Sequence, residues 1–302
     1  MNWEPTVCIV VPCYNVEHIA DRCIQSLLLL DYPEEKLRIV AVDDGSTDNT
    51  HELLNEFKKD ARISVIKHDK NSGLAATRNS GLHSCNSELI GFIDSDIVVQ
   101  RDWLRVQLSS FNEKKVIGSM GDTCLPPDLE PNRLDKLMYH PRRGARNFGE
   151  NTSIKFQWFL FNNTVVKRNA LDEVGYFDES FQGYGGEDTD LAIRLWMKYK
   201  GGLRFNPRAL GYHYHQRNLK QLKFVLIRYG ASNYRTIIKR YPQYKSELHG
   251  NWLDSSMGYL IFNPITRWLI SMVYRLIPSL MIIRFIIIDN ILTGARNANR
   301  LK

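Results

Sequence analysis

Short apolar runs alternate with longer amphipathic stretches through the first hundred residues. Val7–Val11, Leu37–Val42, Ile63–Ile66 and Leu89–Ile93 are rich in β-branched residues and end in polar clusters, which predicts buried strands. Helical patterns occupy 17–30, 48–59, 74–84 and 102–111. This alternation predicts an α/β fold with a mostly parallel sheet covered by helices on both faces. Such sheets bind ligands at the carboxyl ends of their strands. The residues predicted there are Pro12-Cys13-Tyr14-Asn15, Asp43-Asp44-Gly45-Ser46 and Asp94-Ser95-Asp96.

From about 115 to 215 the pattern loosens. A loop-rich stretch, Pro126 to Gly149, leads into the apolar run Phe156–Val166 and a helix near 168–174. Residues 188–199 place Leu191, Ala192, Leu195 and Trp196 on one helical face. Beyond that, 219–240 is basic and amphipathic, and 259–293 is strongly apolar but broken by Pro264, Arg267, Arg275, Pro278, Arg284 and Asp289. The uncharged run Leu276–Ile283 is far short of the roughly 18 residues a spanning helix needs. An apolar segment with spaced arginines suits a helix lying in the bilayer interface; a core helix or a homodimer interface is the alternative. No internal repeat or low-complexity tract is present.

Composition sharpens this division. The 302 residues are 43% hydrophobic and 24% charged, enough for a globular core. The net charge of +7 hides a split: from Lys198 onward there are 18 Lys/Arg against 3 Asp/Glu, and before it 22 against 30. A basic last third points to a polyanion, either nucleic acid or an anionic membrane surface. The five cysteines (Cys8, Cys13, Cys23, Cys85, Cys124) include no CxxC pair, which predicts neither a disulfide framework nor a zinc site and favours a reducing compartment. The start, Met1-Asn2-Trp3-Glu4-Pro5, has no basic flank before an apolar stretch, so no signal peptide is expected and the mature chain is expected to begin here.

The polar clusters carry the candidate chemistry. Period-2 alternation at a strand end would put Asp94 and Asp96 on one side and Ser95 on the other, giving the hard oxygen ligands a divalent cation requires. Asp43 and Asp44 can accept from a nucleobase or ribose, or serve as turn and cap residues with Ser46 and Asp48. Gly73 turns the chain into a helix carrying Arg78 one turn in, where a guanidinium can face a nucleotide. Gly183-Tyr184-Gly185-Gly186 forms a glycine-rich loop, read as flexible, running into Glu187-Asp188. There Asp188 is a candidate general base and Glu187 an acceptor contact, with helix capping as the plainer alternative. Tyr212-His213-Tyr214-His215 reads as a strand with both imidazoles on one face, where one could complete a metal shell.

Val10-Val11-Pro12-Cys13-Tyr14-Asn15, Asp43 to Ser46, Gly73 to Asn79, Asp94-Ser95-Asp96 and Gly186 to Leu191 together closely resemble the inverting family-2 glycosyltransferases of GT-A (Rossmann-like) fold. The resemblance covers about 5–215. Phe161-Asn162-Asn163 through Gly175-Tyr176-Phe177-Asp178 to Asp188 looks like the acceptor half shared by bacterial chondroitin-polymerase-type modules and β-1,4-galactosyltransferases. The resemblance implies a GT-A domain over 1–215, with the nucleotide-sugar part at about 1–115 and the acceptor part at about 116–215. A basic, apolar helical extension follows over 216–302. It implies a donor, usually a uridine diphosphate sugar, held by Pro12, Tyr14, Asn15, Asp43, Asp44, Gly73, Arg78, Asp94 and Ser95. It further implies Mn²⁺ or Mg²⁺ on Asp96 with His213 or His215, Asp188 as base, Glu187 on the acceptor, and inversion in one displacement. The expected acceptor is a glycan or a lipid-linked molecule, as in bacterial surface polysaccharide synthesis. The expected location is cytoplasmic and peripheral, on the inner face of the cell membrane through residues about 217–293. The alternatives are a non-catalytic sugar-nucleotide-binding scaffold or a soluble protein or peptide glycosyltransferase. A nucleic-acid binder is excluded because it leaves Asp94, Asp96, Glu187 and Asp188 without purpose.

Overall fold

The computed structural model describes residues 3–298, so the reading of the chain start at Met1 and Asn2 lies partly outside the described residues. In order, the regular elements are β1 (Val7–Cys13), α1 (Ala20–Leu28), β2 (Leu37–Asp43), α2 (Thr50–Glu56), β3 (Ile63–Lys67), α3 (Leu74–His83), β4 (Leu89–Ile93), β5 (Ile97–Val99) and α4 (Trp103–Ser109). Next come β6 (Gly118–Cys124), α5 (Arg133–Met138), β7 (Thr152–Ser153), β8 (Asn163–Lys167), α6 (Arg168–Val174), α7 (Glu187–Lys198) and β9 (Leu203–His213). The chain ends in helices: α8 (Leu219–Tyr229), a π-helical turn (Gly230–Tyr234), α9 (Arg235–Arg240), α10 (Ser256–Ile261), α11 (Pro264–Leu276) and α12 (Leu280–Arg296).

These elements form two compact units. The first comprises Met1–Asp128, Gly144–Glu179 and Asp190–His215; the second comprises Leu129–Arg143, Ser180–Thr189 and Gln216–Lys302. The first unit holds a nine-stranded sheet ordered β3-β2-β1-β4-β8-β6-β9-β5, with β7 on β9. The pairings β1–β2, β1–β4 and β2–β3 are parallel, as the strand-helix alternation predicts. Every residue of β1 and β4 is buried, which explains their continuous apolar runs: both faces of a parallel sheet are covered. The remaining half is mixed, because β8 runs antiparallel to β4 and β6, and β5 antiparallel to β9. The register aligns Cys13 with Asp43 and Asp43 with Lys67, so three strands stop along one edge and release their loops there.

One expectation is corrected inside this unit. Cys8 on β1 and Cys85 just after α3 form a disulfide, with their Cα atoms 6.5 Å apart. They lie 77 residues apart and meet because α3 packs on β1, which linear spacing could not reveal. The cysteine argument for a reducing compartment therefore falls away.

The second unit is built from three pieces of chain. Leu134 and Leu137 of α5 share a buried cluster with Leu222, Tyr274, Ile283 and Ile286. Tyr234 and Ile238 share another with Leu253, Phe262, Leu292 and Ala295. A Cβ on Gly230 would run into the Ile291 carbonyl, and one on Gly294 into that of Ile227. Two helix backbones thus approach where only hydrogen fits. Among the described residues no helix is long and apolar enough to cross a membrane.

Candidate active site

The loop after β1 begins with buried Pro12 and exposed Tyr14. Asn15 adopts left-handed φ (53°), and its Oδ1 accepts from the Thr47 backbone N–H at 2.8 Å while its own N–H donates to Ser46 Oγ. Asn15 thereby ties the first loop to the second. Asp43 is fully buried: its Oδ1 accepts from Ser46 N–H at 2.9 Å and its Oδ2 lies 3.3 Å from His51. Its side chain offers no surface to a nucleotide and braces the turn instead.

Asp44, beside it, is nearly buried and organises the next loop. Its two oxygens accept from the backbone N–H groups of Ser72 (2.8 Å) and Gly73 (3.0 Å), the residues that lead into α3. His68 Nδ1 lies 2.7 Å from Asp44 Oδ1 and His68 Nε2 lies 2.9 Å from Ser80 Oγ. His68 was not singled out from the sequence, although a titratable residue just past a parallel strand is a usable signal. Asn79 was quoted only as a motif end. It holds the 177–179 segment, donating to Phe177 O at 2.9 Å and Glu179 Oε1 at 2.7 Å.

Asp94-Ser95-Asp96 is a tight turn between β4 and β5, so strand alternation does not orient its side chains. The Asp94 backbone N–H donates to Asn162 O, and its carbonyl accepts from Ile97. The Asp94 carboxylate takes Arg78 at 3.1 Å; that guanidinium is buried and stacks 5.2 Å from the Phe177 ring. Ser95 is buried, and the Cys13 thiol donates to the Val11 carbonyl at 3.6 Å. Burial, followed by the negative charge of Asp43, pushes that thiol up. Burial does the same at Cys23. Both thiols stay protonated at neutral pH, so neither is a nucleophile.

Asp96 faces the histidine pair. Its Oδ2 lies 3.3 Å from His213 Nε2 and 3.7 Å from His215 Nδ1, and the two imidazoles stack with ring planes 21° apart. Tyr214 points elsewhere, under the Arg22 guanidinium at 5.2 Å. Burial pushes the Asp96 carboxyl up, but the hydrogen bond and charge of His213 and the charge of His215 outweigh it and hold it below the usual range. Its other oxygen, Oδ1, is buried with no hydrogen-bond partner. Leaving a carboxylate oxygen so placed is costly unless something cationic meets it. Among the described residues, no three His, Cys, Asp or Glu side chains form a metal cage on their own. A donor set of this kind suits a cation that takes its remaining ligands from phosphate and water.

Within the second unit lies the loop before α7. Gly183, Gly185 and Gly186 all have positive φ. The loop, expected to be flexible, is pinned: Asn233 Nδ2 donates to the carbonyls of Gln182 and Gly185, and Ser232 Oγ to that of Tyr184. A Cβ on Gly186 would meet the Asn233 Cβ at 2.8 Å and the Phe181 ring at 2.9 Å. A Cβ on Gly185 would meet the Tyr229 ring at 3.2 Å. Glu187 is buried and Asp188 half-buried, both in the first turn of α7. All these clamps come from the π-helical turn and the helix before it. The sequence signalled that turn only as a break, Gly230-Ala231-Ser232-Asn233, in a basic amphipathic stretch.

The family model described as glycosyl transferase family 2 matches residues 8–175, more than half of the chain. The chain belongs to glycosyl transferase family 2. A second model, glycosyltransferase-like family 2, matches 146–254 and so reaches into the helical end. Among family members, the chain is 36% identical over 140 residues to the uncharacterized glycosyltransferase EpsJ of Bacillus subtilis, covering 43% of this chain and 40% of that one. It is 33% identical over 142 residues to the putative teichuronic acid biosynthesis glycosyltransferase TuaG of the same organism, covering 46% and 55%. It is 25% identical over 203 residues to the poly-β-1,6-N-acetyl-D-glucosamine synthase of Staphylococcus epidermidis, covering 67% and 48%. The chain thus spans about half the length of these curated relatives. The GT-A fold is shared with the mannosyltransferase PcManGT of Pyrobaculum calidifontis, solved with GDP-Man and Mn²⁺ (TM-score 0.68, 18% identity, 100% of this chain and 89% of that one). It is also shared with S. aureus TarS 1–349 solved with UDP-GlcNAc (TM-score 0.59, 16% identity, 98% and 92%). The sheet, with its loops at one edge, is the GT-A arrangement that this family member shares with those structures.

Proposed function

We propose that this glycosyltransferase is metal-dependent and inverting. It moves a sugar from a nucleotide-sugar donor, a uridine diphosphate sugar, to a hydroxyl of a glycan or lipid-linked acceptor in the synthesis of a bacterial surface polysaccharide. The observation that carries the reading is Asp96 with two imidazoles on one oxygen and a buried, unmatched second oxygen. Asp96 with His213, His215 or both would hold Mn²⁺ or Mg²⁺, and a bound cation supplies the positive charge that a departing diphosphate needs. The Mn²⁺ named with PcManGT and the UDP-GlcNAc named with TarS support the cofactor and donor class. TuaG and the poly-N-acetylglucosamine synthase support a polysaccharide product.

In this reading Tyr14 and the loop ordered by Asp44 and Gly73 bind the base and ribose, and Arg78 holds Asp94 toward the sugar. Glu187 orients the acceptor, and Asp188 takes the acceptor proton as its hydroxyl attacks the anomeric carbon from the face opposite the leaving group. One displacement inverts the centre, with no covalent nucleophile. Asp43 and Asn15 act as positioning residues, through Ser46 and Thr47. The basic second unit places the enzyme at an anionic membrane surface, on the cytoplasmic leaflet, through residues 217–293.

The test is a donor screen following nucleotide release with Mn²⁺, with Mg²⁺ and with chelator, on the native chain, Asp96→Ala and Asp188→Asn. Asp96→Ala should lose both transfer and metal-dependent donor binding. Asp188→Asn should keep donor affinity while turnover falls by about 10²-fold or more. Full activity in chelator, or normal turnover with weakened donor binding in Asp188→Asn, refutes the roles assigned.

A further inference from the structure

Helix α11 wears its hydrophobic face outward. Ile265, Trp268, Leu269, Met272, Val273 and Leu276 repeat at i, i+3, i+4, i+7, i+8 and i+11, one stripe of a helix, and are 41–79% exposed. Arg267 and Ser271 of the same helix turn inward. Arg267 binds Asp289 and Thr293 of α12, and Ser271 receives Lys223 of α8. A surface helix of a globular protein has the reverse arrangement. On α10, Met257 and Leu260 are also exposed, at 56% and 68%.

Charge decides what covers this face. Residues 255–296 contain four arginines and a single acid, Asp289, which is 1% exposed and engaged by Arg267. Arg275, beside the stripe on α11, and Arg284, on α12, are both exposed and have no carboxylate beside them on these helices. A second copy of the chain would bring the same cations against them. An anionic phospholipid surface satisfies the stripe and the arginines together. We propose that the outward stripe of α10 and α11 inserts into the interfacial layer of an anionic bilayer, Trp268 among the acyl chains and Arg275 and Arg284 at the phosphates. This rests on the reading of the enzyme as acting at a membrane and goes further: the anchor is apolar insertion by one helix face, and the basic residues at 217–245 only assist it. The helices lie in the interface without crossing it.

The test uses the full chain with phosphatidylcholine vesicles, with or without phosphatidylglycerol. The variants are Leu269→Glu/Met272→Glu, both at exposed positions, and Trp268→Phe, each checked for an unchanged urea midpoint. The native protein should sediment with phosphatidylglycerol vesicles and far less with phosphatidylcholine alone. High salt should weaken this binding without abolishing it, because insertion is not screened. The double variant should bind about tenfold or more weakly, and quenching of tryptophan fluorescence by bromo-lipid should vanish in Trp268→Phe. Equal binding by the double variant, or quenching that persists without Trp268, overturns the proposal. So does a native dimer that becomes a monomer in the double variant, which would make the stripe a contact between copies. Nucleotide release is followed in parallel and should be unchanged in both variants. If the native chain releases no nucleotide yet still inserts, the catalytic reading fails and the anchor stands.

Discussion

One ion pair ties α11 to α12, and removing it gives a measurable result. Arg267 Nε lies 2.6 Å from Asp289 Oδ2, and one terminal nitrogen lies 2.9 Å from Oδ1 and 2.6 Å from Thr293 Oγ1. Arg267→Met keeps the aliphatic stem and strands a carboxylate that is 1% exposed. Breaking a fully buried pair costs about 3–5 kcal/mol. The Arg267 side chain is 33% exposed, so solvent screens part of the interaction and about 2–3 kcal/mol is expected. Arg267→Met/Asp289→Leu removes both charges and should recover most of that loss, since an apolar pair fills the site without desolvation cost. The assay is urea unfolding of the full chain at neutral pH, with amide exchange across 264–296 to localise the effect. A single variant within about 0.5 kcal/mol of the native chain, or a double variant no better than the single, refutes the reasoning.

Two further outcomes follow from other sites. Gly186→Ala forces a side chain onto a backbone at φ +107° and against Asn233 and Phe181; kcat should fall about tenfold or more with donor KM little changed, and steady-state kinetics on both quantities check it. Burial, helped by the charge of Arg284, holds the His249 imidazole below its ordinary value. The folded chain therefore resists a proton that the unfolded chain accepts: this contribution is whole above about pH 6.5 and is lost as pH falls through the folded value. His249→Gln should flatten that part of the urea-midpoint profile, and parallel profiles for the two proteins would refute it.

The parallel half of the sheet was legible because its central strands β1 and β4 are buried on both faces and written as apolar runs, Val7–Val11 and Leu89–Ile93. The motif residues were legible as types, but their partners were not. Asp43 ends β2 and Asp44 follows it, yet one braces Ser46 from a buried position while the other orders Ser72 and Gly73. Which does which depends on a strand paired 24 residues later. Asn163 is fully buried and joins Trp103, Asp122 and Ala209, contacts of high sequence separation with no local pattern. The apolar residues of α11 were visible as part of the strongly apolar stretch 259–293, but not which of them face out. The contacts that turn the stripe outward, Arg267 with Asp289 and buried Tyr274 with Leu134, Leu137 and Ile283, join residues far apart in the chain.

The second unit is assembled from pieces far apart in the chain, and this has a consequence during synthesis. Helix α5 emerges early, with Leu134 and Leu137 needing the cover of Tyr274, Ile283 and Ile286. About 150 residues must follow before that cover exists, which at ribosomal speed is on the order of ten seconds. The sheet of the first unit is complete at His213 and can form while the ribosome is still working. Nascent chains thus pass through a stage in which a folded sheet displays an uncovered leucine pair and a glycine loop without its Asn233 clamp. Helices α11 and α12 end that stage, so a ribosome that stalls before them releases a chain whose Leu134 and Leu137 lack the cover of Tyr274, Ile283 and Ile286.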